Sequence, residues 1–80
     1  MHELGVLYQA LRSVERIAER NNILRVKHVT LEVGEESDCV PAFFEKLFPV
    51  AVEKFPVAQG AELRIERAPG NRLTIKDIGY

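Results

Sequence analysis

Three short stretches of the chain alternate apolar with polar residues, and in each the apolar residues share one side. Val29, Leu31 and Val33 alternate with His28, Thr30 and Glu32. Leu63 and Ile65 alternate with Glu62, Arg64 and Glu66, and Leu73 and Ile75 with Arg72, Thr74 and Lys76. Side chains of a strand point alternately to opposite faces, so each stretch reads as a half-buried strand. Three one-sided strands make a sheet that buries one face and wets the other. Any helices must then lie together on the apolar face.

Two helices are expected. In HELGVLYQALRSVERIAERNN, Leu4, Leu7, Leu11, Val14 and Ala18 recur at spacings of three and four, with Ile17 beside the stripe. That is one apolar helix face, with Arg12, Glu15, Arg16, Glu19 and Arg20 on the other side. Asn21-Asn22 supplies the stop. The second helix is AFFEKLFPVAVEKF, whose Phe43, Phe44, Phe48 and Phe55 read as core. Pro41 suits its first turn, and Ser37 or Asp38 in the acidic loop GEESD can cap it. Pro49 removes a helical donor and crowds the turn before it, so a kink or break is expected near Phe48.

The sum is an α+β, two-layer α-β-α-β-β domain of three strands with both helices on one face. The last two strands are expected to form a hairpin about Pro69-Gly70-Asn71. The third strand is expected in the middle of the sheet, which makes every neighbouring pair antiparallel. A helical crossover joins the first two strands, which run the same way, and it should be right-handed. Phe43, Phe44, Leu47 and Phe48 are expected to bury against Leu31, Val33, Leu63, Ile65 and Ile75.

Length and charge narrow the function. Eighty residues make one small domain, 1–80, without repeats or linkers. Eleven basic against twelve acidic residues, a net charge of −1, offer no surplus for nucleic acid or an anionic membrane. No apolar run is long enough to span a bilayer, and no basic cluster precedes an apolar stretch as in a secretory signal. One cysteine, Cys39, excludes an internal disulfide and fits a reducing cytoplasm. Nothing pairs a nucleophile with a base, and no glycine loop is built for phosphate, so the chain is not expected to be an enzyme.

The opening Met1-His2-Glu3 is the candidate site. The first helix and the strand after it are each roughly 30 Å long by their rise per residue. They are joined by a short connection, so Gly34 should return to the start of the helix. Glu35, Glu36, Asp38 and the Pro69–Asn71 turn should gather at the same end. His28 should stand on the order of 20 Å away along its strand. The α-amine, the amide of His2 and its imidazole can close a five-membered and a six-membered chelate ring. The Glu3 amide or carboxylate can be a fourth donor. Such a nitrogen-rich, square-planar set suits Ni(II) or Cu(II). The positive end of a helix disfavours a nearby ammonium and eases its deprotonation.

The segments MHELGVLYQAL, VTLEVGEESDCVP, QGAELRIERAPG and LTIKDI, in this order, resemble the HypA/HybF family of nickel metallochaperones in hydrogenase maturation. The resemblance spans nearly all of the chain. It implies the α-β-α-β-β nickel-binding domain of that family, with Met1, His2 and Glu3 as the Ni(II) site. It implies a maturation GTPase and a nickel-iron hydrogenase large-subunit precursor as partners, and self-association as a homodimer stays open. One departure is large. Family members carry a zinc module with two CxxC pairs between the last two strands, and here that place holds only Pro69-Gly70-Asn71. A lone cysteine cannot build a Cys₄ site, so no structural zinc is expected. Pro49 has no obvious counterpart in the family pattern. Some members use an acidic side chain near the 35–40 loop as a further ligand. Val40 stands closest to that place, with Asp38 as a neighbour that is either a ligand or a helix cap. The rival reading is a metal-free module that docks to a hydrogenase subunit or the maturation GTPase.

Overall fold

A computed structural model describes residues 3–80. Its elements are α1 (Glu3–Arg20), β1 (His28–Gly34), α2 (Pro41–Ala51), two 3₁₀ turns (Val52–Lys54 and Pro56–Ala58), β2 (Glu62–Ala68) and β3 (Leu73–Gly79). The architecture is the expected two-layer α+β. One core joins both helices to the inner face of a three-stranded mixed sheet, with α1 against β3 and α2 against β2.

The face of α1 that points inward is the apolar stripe, with Leu7, Leu11, Val14 and Ala18 almost wholly buried. Its end is set by Asn22, which has a positive φ of 56°. The Ile23 amide then donates to the Ala18 carbonyl at 2.9 Å, and the Asn22 amide to Glu19 at 3.4 Å. This is the Schellman arrangement, with asparagine in the left-handed position that usually takes glycine.

In α2, Pro41 occupies the first turn as expected. Phe44, Phe48 and Ala51 bury, and Phe55 joins them from the following turn. Phe43 does not: it is 51% exposed. Phe44 and Phe48 are four apart and share a face, whereas Phe43 lies a hundred degrees round the helix from Phe44. Of the kink or break expected near Phe48, the break is absent. The α-helix runs through Pro49 to Ala51 and only then tightens into the 3₁₀ turn. Pro49 and Glu45 are both exposed, so water can serve the Glu45 carbonyl that the proline leaves without its helical donor.

The strand order corrects the expected one. It is β2-β1-β3, with β1 in the middle. β1 pairs in parallel with β2, from His28 opposite Glu62 to Gly34 opposite Ala68. It pairs antiparallel with β3, from His28 opposite Gly79 to Val33 opposite Leu73. The last two strands are therefore not a hairpin. Residues 69–72 arch across the end of β1 instead. Crossing one strand spans about 9.6 Å, within reach of four residues. Being central also makes β1 more than half-buried, and outward-facing Thr30 is only 3% exposed.

Backbone hydrogen bonds tie the end of β1 and the residues just after it to the arch and the end of β2. The Gly34, Glu35 and Glu36 amides donate to the carbonyls of Arg72, Ala68 and Gly70 at 2.7, 2.8 and 2.8 Å. A side chain at Gly34 would run into the backbone of Gly70 and Arg72. At the other half of β3 the register shifts between Thr30 and Leu31, leaving Lys76 as the extra residue of a bulge. The shift lets Ile78, as well as Leu73 and Ile75, pack against the core.

Candidate functional site

Met1 and His2, two of the three residues expected to hold metal, lie outside the described residues. The third, Glu3, opens α1, where a carboxylate favours the positive end of the helix. Its Oε2 accepts a hydrogen bond from the Val40 amide at 3.1 Å. Val40 is the N-cap residue of α2. The start of the first helix is thus tied to the start of the second, and the end geometry expected from element lengths holds.

That bond also settles the capping of α2. Val40 cannot cap with its own side chain, and neither Ser37 nor Asp38 takes that part. Ser37 is used one step earlier, where its Oγ accepts from the Cys39 amide at 3.1 Å. The loop is braced further by the Ser37 amide on the Gly34 carbonyl at 3.0 Å and by the Arg67 guanidinium on the same carbonyl at 3.3 Å. Asp38 is exposed and makes no hydrogen bond or ion pair among the described residues. Cys39 is a free, buried thiol. Among the described residues no three His, Cys, Asp or Glu side chains converge as a metal cluster.

The end of the molecule that carries Glu3 therefore gathers the acidic loop 35–38, the N-cap of α2 and the 69–72 arch. A cavity of about 640 Å³ opens beside it, between α1, the loop and β3. Sequence reasoning placed the loop and the turn at this end but missed the cavity. It depends on how incompletely α1 covers β3, which pattern alone does not show.

His28 belongs to the other end. It is the first residue of β1, opposite Gly79, and its Nε2 donates to Asp77 Oδ1 at 3.1 Å. The Thr30 hydroxyl also donates to Asp77, and with His28 it holds that carboxyl below its ordinary value of 3.8. A depressed carboxyl stabilises the fold above its unfolded value and loses that contribution as pH falls through the folded one. Asp77→Asn is therefore expected to flatten stability against pH below about 3.8 and to leave its shape near neutrality alone. Urea titrations at pH 3, 4 and 7 check it, and an unchanged acid limb would remove the pairing.

Known proteins are similar to this chain over most of its length. A family model described as "Hydrogenase/urease nickel incorporation, metallochaperone, hypA" matches residues 1–73. The hydrogenase maturation factor HypA of Dechloromonas aromatica is 40% identical over 70 residues, which cover 88% of this chain and 61% of that one. The corresponding factor of Trichodesmium erythraeum is also 40% identical over 70 residues, covering 88% and 58%. The chain thus spans about 60% of the length of these relatives. In fold it is similar to the solution structure of the Ni metallochaperone HypA from Helicobacter pylori. The TM-score is 0.78 at 21% identity, over 96% of this chain and 72% of that one.

Proposed function

The chain belongs to the HypA family, and from that premise we propose that it carries Ni(II) for the maturation of a nickel-iron hydrogenase. The ion is bound by the Met1 amine, the His2 amide and the His2 imidazole, with Glu3 completing the set. The observation that carries this reading is the Met-His-Glu opening itself, at the head of a helix that Glu3 ties to the next one. In this reading nickel is cargo, and the protein performs no chemistry on it. A maturation GTPase and the hydrogenase large-subunit precursor are the partners, and the compartment is the cytoplasm. No described helix is long and apolar enough to cross a membrane.

The domain reading follows the same line. Sequence similarity to the family runs to residue 73, where β3 begins, while likeness in fold covers 96% of the chain. This supports a nickel domain in which the 69–72 arch stands where longer relatives hold their extra residues. Those residues are the zinc module of the family resemblance. With Cys39 alone, this chain folds without structural zinc.

Calorimetry with NiCl₂ at neutral pH tests the site. Untagged wild type and His28→Ala are expected to bind alike, because His28 is committed to Asp77 at the far end of β1. His2→Ala and a form with an N-terminal extension are expected to lose the nitrogen-rich site and its square-planar absorption band. Binding should weaken as pH falls, since protons compete for all three nitrogens. Undiminished binding in both His2→Ala and the extended form would overturn the assignment. The second reading, a metal-free docking module, is favoured by Val40, Phe43 and Val50, which are 43%, 51% and 50% exposed along α2.

A further inference from the structure

The cavity beside the acidic loop has the make-up of a strand-binding groove. Its floor is apolar: Val6 and Ala10 from α1, Cys39 from the loop, Leu73 and Ile75 from β3. Its rim carries Glu36 and Asp38, both exposed, and among the described residues no lysine or arginine lines it. Neither carboxylate has a hydrogen-bond or ion-pair partner among the described residues.

The backbone alongside is also open. Among the described residues β3 is an edge strand paired with β1. The Gly34 amide reaches the Arg72 carbonyl, which turns the backbone of Arg72 toward β1. Antiparallel strands alternate in this respect, so the amides and carbonyls of Leu73 and Ile75 face outward. The same two residues send their side chains to the groove floor. A strand added at that edge would place its own alternate side chains over the floor, because directly opposed residues share a face.

We propose that this groove binds a short extended segment of a partner protein, one that carries a lysine or arginine next to apolar residues. The backbone pairs with β3 at Leu73 and Ile75, the apolar side chains fill the floor, and the basic one meets Glu36 and Asp38. The recognition mode is strand addition, with affinity from the main chain and specificity from the pocket. The inference rests on the groove alone and does not depend on nickel.

Selection from a random octapeptide phage library on the untagged chain tests it. The selected peptides are expected to share Lys or Arg one or two places from an aliphatic residue. A fluorescein-labelled peptide of that consensus is then titrated by anisotropy. Its affinity should fall at least tenfold with Ser13→Trp, which fills the groove mouth, and with Glu36→Lys/Asp38→Lys. It should be unchanged with Leu24→Asp, just past the far end of α1. All these positions are exposed, and far-UV circular dichroism checks each variant. A peptide methylated on alternate backbone nitrogens, tested on the unaltered protein, should lose binding. The proposal is overturned by selection without a consensus or by a consensus lacking basic residues. It is equally overturned if binding survives Ser13→Trp or backbone methylation.

Discussion

Phe44→Ala is expected to cost about 3–5 kcal/mol, the range for emptying a fully buried phenylalanine site. Phe44 is the largest side chain that is fully enclosed, at 0% exposure. A domain of this length holds only on the order of 4–12 kcal/mol in all. The loss should lower the melting temperature by roughly 12–40 °C, since each kcal/mol moves a domain of this size by about 4–8 °C. Phe43→Ala, one residue earlier, should stay within about 0.5 kcal/mol because its ring is half in water. Urea unfolding followed by circular dichroism compares the two. Equal effects would mean that α2 is turned differently against the sheet.

Gly34→Ala is expected to be the other severe change, at the upper end of the roughly 1–3 kcal/mol seen for overpacking. The added methyl would stand 2.7 Å from the Gly70 carbonyl carbon and 2.9 Å from the Arg72 nitrogen. Both are backbone atoms of the arch and cannot swing aside. Lifting the arch would also release the Glu35 and Glu36 amides from Ala68 and Gly70. Amide exchange at those two residues should quicken along with the drop in melting temperature. Gly79→Ala makes a fair control, because there the methyl meets the ring of His28, the end of a side chain that can rotate. A Gly34→Ala protein that melts like wild type would mean that the arch does not cross β1 as described.

Local rules gave the elements, because helix and strand periods show directly in residue spacing. The one-sided sheet, the stop at Asn21-Asn22 and the shared end of Glu3 and the acidic loop all follow from that. Strand order did not. Two alternating strands separated by Pro-Gly-Asn look like a hairpin, and nothing local says that four residues will instead cross a third strand. Faint signals were present. β1 has the least charged outward positions of the three, His28, Thr30, Glu32 and Gly34, against Glu62, Arg64 and Glu66 in β2. It also ends in the glycine that the crossing requires. The bulge at Lys76 was invisible, since LTIKDI alternates well enough without it. The proposed Met-His-Glu site rests on covalent geometry alone, because a terminal chelate needs little from the fold. The groove could not, because it is a gap between a helix and a strand edge.

The central place of β1 has a consequence for how the chain reaches its folded state. No rung of the sheet joins near neighbours in sequence: His28 must find Glu62 on one side and Gly79 on the other. Each pairing closes a long loop before any contact repays the lost chain entropy. The helices can form from local interactions, but the sheet has no turn from which to zip. High contact order of this kind slows folding relative to a helical bundle of the same length. A chain interrupted anywhere within β3 leaves one edge of β1 bare, and with it an apolar strand ready to pair with another molecule.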